Sequence, residues 1–253
     1  MIKPEVNEIK LVERGGLNMG KIVAIGGGEI SNRETEHIDK YLVSLAKKER
    51  PRLLFLPTAS GDAEGYIDIV KRYFEELGCS VDHLSLNKEK YEQQEIRQKI
   101  LTADIIYVGG GDTVSMMSRW KTLHVDECLR EAYAKGVIMS GLSAGSICWF
   151  QYGHSDSDSF HGSSIWDYVR AYGLGLIPSS HCPHYNEVGR ESYDEMIGED
   201  QIPGIALENQ TALVYIDGVC RIIKSDEKKN AYLLRMIDGR LVKTLLGGEE
   251  FEL

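Results

Sequence analysis

From Met19 to about Phe150, apolar runs of four or five residues alternate with stretches of helical spacing. Lys21-Ile22-Val23-Ala24-Ile25 leads into Gly26-Gly27-Gly28, and Asp104-Ile105-Ile106-Tyr107-Val108 leads into Gly109-Gly110-Gly111. Leu53-Leu54-Phe55-Leu56-Pro57 and Val137-Ile138-Met139-Ser140 repeat the pattern, and residues 81–86 read as a further strand. Residues 34–48, 67–77, 92–101, 113–120 and 125–135 carry apolar side chains at helical intervals. Runs that are apolar throughout suit strands covered on both faces. The alternation therefore predicts an α/β fold: βαβ units forming a mainly parallel sheet with helices on both faces. In such sheets the chemistry sits in loops at the carboxyl ends of the strands. The glycine clusters at 26–28, 109–111 and 141–145 all fall there.

The remainder reads differently. Residues 151–167 are rich in Ser, Asp, His and Gly and are expected to form a long surface loop. Residues 174–178 read as a strand. After Ile205, Asp217-Gly218 and Asp238-Gly239 each separate two apolar runs, which predicts β-hairpins at a C-terminal edge. No linker-like composition divides the chain, so residues 19–253 are taken as one domain. Residues 1–18 are polar and weakly patterned. Glu13-Arg14-Gly15-Gly16 is what a translated purine-rich ribosome-binding site would encode, which points to Met19 as the native start; a flexible N-terminal arm is the alternative.

Charge narrows the classes of partner. Lys plus Arg number 29 against 39 Asp plus Glu, a formal net charge of −10. Such a surface repels phosphate backbones and anionic lipid, so neither nucleic acid nor membrane is an expected partner. No apolar run is long enough to span a bilayer. The five cysteines are widely spaced and never C-x-x-C, which suits reduced thiols in the cytoplasm.

The sharpest local signal is Gly141-Leu142-Ser143-Ala144-Gly145, directly after a buried strand and before an apolar stretch at 147–150 that reads as helical. A G-x-S-x-G turn between strand and helix lifts a serine hydroxyl clear of the sheet and leaves the next backbone N–H free to stabilise an oxyanion. Ser143 is thus the candidate nucleophile and Ala144 N–H an oxyanion donor. A serine needs a base. Of the seven histidines, His37, His83 and His124 sit in amphipathic surroundings, and His154 and His161 in the polar loop. His181 and His184 follow a probable strand, where a base is well placed.

Three motifs in order, Gly109-Gly110-Gly111-Asp112-Thr113, then Gly141 to Gly145, then Gly173-Leu174-Gly175-Leu176 with Pro183-His184-Tyr185, resemble the peptidase E and cyanophycinase family of serine peptidases. The resemblance runs from Met19 to about Asp217. It implies a fold like that of class I glutamine amidotransferases, a flavodoxin-like three-layer sandwich, and a short-peptide substrate, with Asp-X dipeptides as one option. It assigns Ser143 as nucleophile, His184 as general base and Glu208 as the third triad member; a shift of one residue would put Asn209 there. It adds Gly111 N–H to the oxyanion hole and makes Asp112 and Arg190 candidate substrate-binding residues. The alternative for Arg190 is an i, i+4 surface pair with Asp194. Asp112 stands where this family usually has asparagine.

The resemblance implies no cofactor and no metal. His181-x-x-His184 with Cys182, and His154-x-Asp156-x-Asp158-x-x-His161, are the rival metal readings, though neither has standard ligand spacing. Cyanophycinase-like cleavage of β-linked Asp-Arg and a non-catalytic binding module are the rival functions. A homodimer is expected from the family, with Trp149, Phe150, Trp166 and Tyr168 as interface or core.

Overall fold

The computed structural model describes residues 20–162, 166–199 and 202–253. The 1–18 extension and the start at Met19 lie outside the described residues. The strands are β1 (Lys21–Ile25), β2 (Arg52–Leu56), β3 (Ser80–His83), β4 (Ile105–Val108), β5 (Ile138–Leu142), β6 (Phe150–Ser155), β7 (Val169–Tyr172), β8 (Ile177–Cys182), β9 (Gly204–Leu207), β10 (Thr211–Ile216), β11 (Val219–Lys224), β12 (Ala231–Ile237), β13 (Arg240–Leu245) and β14 (Phe251–Glu252). The helices are α1 (Glu36–Ser44), α2 (Glu64–Glu76), α3 (Gln93–Thr102), α4 (Thr113–Thr122), α5 (Val125–Ala134), α6 (Ala144–Ile147) and α7 (Tyr193–Glu199).

Among the described residues the strands form two sheets. The first has the order β14-β11-β10-β1-β5-β4-β2-β3, parallel from β1 through β3, with β10 antiparallel to β1. The second has the order β13-β12-β9-β8-β6-β7, with β6, β8 and β9 parallel. Successive residues of a strand face opposite sides. Val23 and Ile25 therefore pack with Ile38, Leu42, Val70 and Phe74 of α1 and α2. Ile22 and Ala24 face the other core, which includes Trp120, Leu129, Trp149, Phe150 and Ile205. A smaller cluster of Cys182, Tyr193, Ile197, Ala206 and Leu234 seats α7 on the second sheet. Trp149 and Phe150 are fully buried, whereas Trp166 is exposed. No helix among the described residues is long and apolar enough to cross a membrane.

The α/β reading of the first half holds element by element, and the second sheet is where it needs correction. The expected loop at 151–167 begins as strand β6, most of whose residues are buried. Residues 147–150 are not a long helix: α6 is one turn, and Phe150 already starts β6. The strand expected at 174–178 is β8, shifted to Ile177–Cys182. The two C-terminal hairpins do form, Ile216 facing Val219 and Ile237 facing Arg240, but on different sheets. The common reason is that β6 and β8 bury polar residues. Ser155 Oγ meets Ser157 Oγ at 2.8 Å, Ser180 Oγ meets Tyr193 OH at 2.7 Å, and His154 Nε2 meets Ser192 Oγ at 2.8 Å. A buried polar group that finds a partner loses little by burial, so polarity was no guide to exposure here.

One buried acid marks the opposite layer. Asp39 on α1 is fully enclosed. The hydroxyls of Thr35 and Tyr73 both donate to its Oδ2, at 2.7 and 2.9 Å, and Oδ1 has no partner among the described residues. Burial pushes its carboxyl up from 3.8 to about 7. The folded state therefore holds this proton more tightly than the unfolded chain does. The stability it contributes is complete below pH 3.8 and is lost as pH rises through about 7. Asp39→Asn keeps an acceptor for both hydroxyls without the charge. It is expected to raise stability at pH 8 by about 2–4 kcal/mol and to change it little at pH 4. Urea unfolding at the two pH values checks this; an equal effect at both would contradict it.

Candidate active site

The turn after β5 explains its glycines. Ser143 adopts φ 59° and ψ −116°, a conformation that costs a non-glycine residue about 1–3 kcal/mol. A Cβ at Gly141 would stand 2.2 Å from Gly145 O, and one at Gly145 would stand 2.1 Å from Val108 O. Both positions must therefore be glycine for the chain to turn this sharply against β4. Ser143 N donates to Ile25 O at 3.1 Å, and its carbonyl accepts from Ser146 N and Ile147 N. Backbone bonds, with Ser146 Oγ donating to the same carbonyl at 2.7 Å, thus hold the residue at the carboxyl end of β5.

The turn after β4 stands beside it. A Cβ on Gly110 would touch Ser143 Cβ at 3.3 Å, and one on Gly111, where φ is +133°, would collide with Ala59 O at 2.2 Å. Among the described residues, no acceptor is bonded to the backbone N–H of Gly111 or of Ala144. Both expected oxyanion donors are therefore uncommitted.

Asp112, expected to bind substrate, instead caps α4. Its carboxylate accepts from Ser115 N at 3.0 Å and from Ser115 Oγ at 2.5 Å, and His161 Nε2 lies 3.4 Å away. Burial opposes the charge, but the hydrogen bonds from Ser115 and Ser157 outweigh it and hold the carboxyl below its usual range. An aspartate here satisfies a helix N-terminus, which is work a sequence can equally assign to a helix cap.

His184 follows β8 in a left-handed backbone conformation, φ 54°, with its N–H donating to Gly26 O at 2.9 Å. Its Nε2 lies 2.8 Å from Ser143 Oγ, and its Nδ1 lies 2.6 Å from Asn209 Oδ1. An amide oxygen accepts, so Nδ1 carries the proton and Nε2 is left to receive the serine proton. The third cluster, Gly26-Gly27-Gly28, is the seat of this pair: a Cβ on Gly27 would lie 2.0 Å from Asn209 Oδ1 and 2.4 Å from His184 Nδ1. The sequence places these glycines at the carboxyl end of a strand but does not show what they seat.

Glu208 does not reach the imidazole. Its carboxylate accepts from Asn230 N at 2.9 Å and from Asn230 Nδ2 at 3.4 Å. Adjacent residues leaving a strand point to opposite sides, so the one-residue shift to Asn209 exchanges which side chain meets the ring. Glu187, which the sequence reading passed over, lies 3.3 Å from His184 Nδ1 and accepts from Asn209 Nδ2 at 3.0 Å. Its spacing three residues after His184 was the available signal.

Arg190 is also not where either reading put it. It is 2% exposed. Nη1 donates to His154 O at 3.0 Å, Nη2 pairs with Asp156 at 3.2 Å, and the guanidinium lies 4.6 Å from the centre of the Tyr168 ring. Asp194 takes Tyr185 OH and Lys243 instead. A guanidinium so engaged ties the strand β6 to the His184 loop and is not presented to a substrate.

His181 is buried behind the site. Its Nδ1 donates to Ile205 O at 2.8 Å, its Nε2 faces Ser146 Oγ at 2.9 Å, and burial pushes it down to about 3. Of the two candidate histidines, His181 lies within β8 and only His184 has a ring nitrogen beside Ser143 Oγ. No cluster of three or more His, Cys, Asp or Glu among the described residues is arranged to hold a metal.

Comparison with known proteins identifies the family and the fold. Residues 22–223 match peptidase family S51. The chain is 34% identical over 230 residues to the uncharacterized peptidase YgaJ of Bacillus subtilis, covering 89% of this chain and 96% of that one. It is 26% identical to peptidase E of Haemophilus influenzae, covering 71% and 79%. The crystal structure of a peptidase from an acI-B1 Actinobacterium superposes with a TM-score of 0.72 at 20% identity, covering 94% of this chain and 98% of that one, and shares the fold. With a family match across most of its length, this chain belongs to peptidase family S51 and is a serine peptidase.

Proposed function

We propose that the protein hydrolyses short peptides through an acyl-enzyme, with Ser143 as nucleophile, His184 as base and Asn209 as the group that orients it. The observation that carries this reading is the 2.8 Å contact between Ser143 Oγ and His184 Nε2, made while Nδ1 is tied to Asn209. Ser143 Oγ attacks the scissile carbonyl carbon as His184 takes its proton. The carbonyl oxygen becomes an oxyanion facing the N–H groups of Gly111 and Ala144. His184 then returns the proton to the leaving amine as the C–N bond breaks. Water, deprotonated by the same imidazole, releases the acyl group and restores the serine.

Peptidase E among the relatives supports a short peptide as substrate. Arg190 is buried and bonded to Asp156 and the His154 carbonyl, so a strict requirement for N-terminal aspartate is not part of the proposal. The five cysteines are all buried and unpaired, which fits a reducing compartment such as the cytoplasm. Profiling of dipeptides tests the substrate class. Non-acidic dipeptides are expected to turn over within about tenfold of Asp-X, the spread that one lost side-chain contact commonly makes. Cleavage confined to Asp-X, or to β-linked Asp-Arg, would overturn it, and a protein inert to both peptides and a fluorophosphonate probe would favour a binding module.

A further inference from the structure

We infer that Glu187 is a positioning residue of the catalytic centre, supplying through Asn209 and beside the imidazole the carboxylate that a neutral amide partner lacks. The inference rests on Ser143 and His184 acting as proposed above. In a serine–histidine pair the third group has two tasks: it fixes the imidazole tautomer and stabilises the imidazolium formed in the reaction. Asn209 can perform the first task only, and only while its oxygen faces the ring. An amide has two similar ends. With the amide reversed, an NH2 group would oppose the Nδ1 proton and the amide oxygen would oppose a carboxylate.

Glu187 determines which end faces the ring. Its Oε1 accepts from Asn209 Nδ2 at 3.0 Å, so the oxygen is left for His184 Nδ1 at 2.6 Å. The same Oε1 lies 3.3 Å from Nδ1 and so stands beside the charge that develops there. Backbone holds this arrangement: Glu187 N donates to His184 O at 2.8 Å, and Asn209 N donates to Asn186 Oδ1 at 2.7 Å. The nearby His184 ring holds the Glu187 carboxyl down at about 2 against the opposing effect of burial, and the Asn209 amide adds to this. The other charged or titratable groups around the ring are committed elsewhere: Arg190 to Asp156, Glu208 to Asn230, Glu191 to Gly189 N, and His181 to Ile205 O and Ser146.

The test exchanges the two groups. Glu187→Gln is expected to lower kcat about 10- to 100-fold while KM stays within about twofold, because the loss is confined to the transition state. Asn209→Asp alone sets two carboxylates against each other and is also expected to be impaired. The double variant Glu187→Gln with Asn209→Asp puts a carboxylate directly on Nδ1 and an amide behind it. It is expected to recover to within about fivefold of wild type. A residue that only braces the loop would not be rescued by moving the charge to position 209. Wild-type kcat in Glu187→Gln, or a double variant no better than Glu187→Gln, overturns the inference. Failure of the underlying reading is seen separately, as wild-type protein that a fluorophosphonate does not label or as turnover that survives Ser143→Ala. Thermal melts of all variants show whether each is folded.

Discussion

Ser143→Ala and His184→Ala are each expected to lower turnover of any peptide substrate by about 10⁴- to 10⁶-fold, and the double variant by scarcely more than either. The two side chains act as one unit. Without the hydroxyl there is no acyl acceptor, and without the imidazole the hydroxyl keeps its proton. What survives is the contribution of the uncommitted N–H groups at Gly111 and Ala144 to water attack on a bound peptide. The Ser143 side chain contacts only His184 among the hydrogen bonds described, so its truncation should leave folding almost unchanged. The check is steady-state hydrolysis with a thermal melt beside it. Turnover within tenfold of wild type in either single variant would refute the site.

The second large effect is a loss of stability in acid. His154 and His181 are both pushed down from 6.5 to about 3 by burial. The unfolded chain binds these protons near pH 6.5 and the folded protein does not. The stability that depends on their neutral form is present above pH 6.5 and is lost as pH falls toward 3. By pH 4 each should cost about 2–3 kcal/mol, and together about 4–6 kcal/mol, a large part of the 5–15 kcal/mol of an ordinary domain. Asp39 works in the opposite sense, so the Asp39→Asn background shows the loss most directly. Chemical unfolding of that variant at pH 7, 5.5 and 4 should give a falling midpoint, and His181→Gln should remove about half of the slope. A flat profile from pH 7 to 4 would contradict this. The weakening belongs to the second sheet, because His154 lies on β6 and His181 on β8.

These histidines also show what kind of information a sequence withholds. The inner parallel strands of the first sheet are almost wholly apolar on both faces, as Ile105-Ile106-Tyr107-Val108 illustrates, which suits a strand covered on both sides. Ser143 was legible for a similar reason: glycine at 141 and at 145 is required by contacts of 2.2 and 2.1 Å, so the turn leaves a mark at both positions. Strand β8, Ile-Pro-Ser-Ser-His-Cys, leaves no such mark. Its Ser180 and His181 are buried because partners meet them from β9, α6 and α7, and those partners are distant in sequence. The same holds for the groups behind His184. Whether Glu208 or Asn209 faces the ring depends on one residue of register, and the three-residue spacing of Glu187 from His184 does not by itself show that the turn brings it to the ring. Arg190 was misread for the complementary reason: its partners, the His154 carbonyl and Asp156, lie within a segment expected to be solvent-exposed loop.

The seat that Gly27 provides has a consequence for the timing of activity during synthesis. Ser143 leaves the ribosome well before His184, and Asn209 and the β10 strand that flanks β1 come later still. A nascent chain tends to fold from its N-terminal side as it emerges. The serine can thus reach its strained turn while the neighbouring groove on β1 is empty. The imidazole has no fixed tautomer until Gly26 and Gly27 have received both the His184 and the 209–211 segments through their backbone bonds. In a growing chain the contacts that join Ser143, His184 and Asn209 can therefore form only after the 209–211 segment has been made and has docked on Gly26 and Gly27.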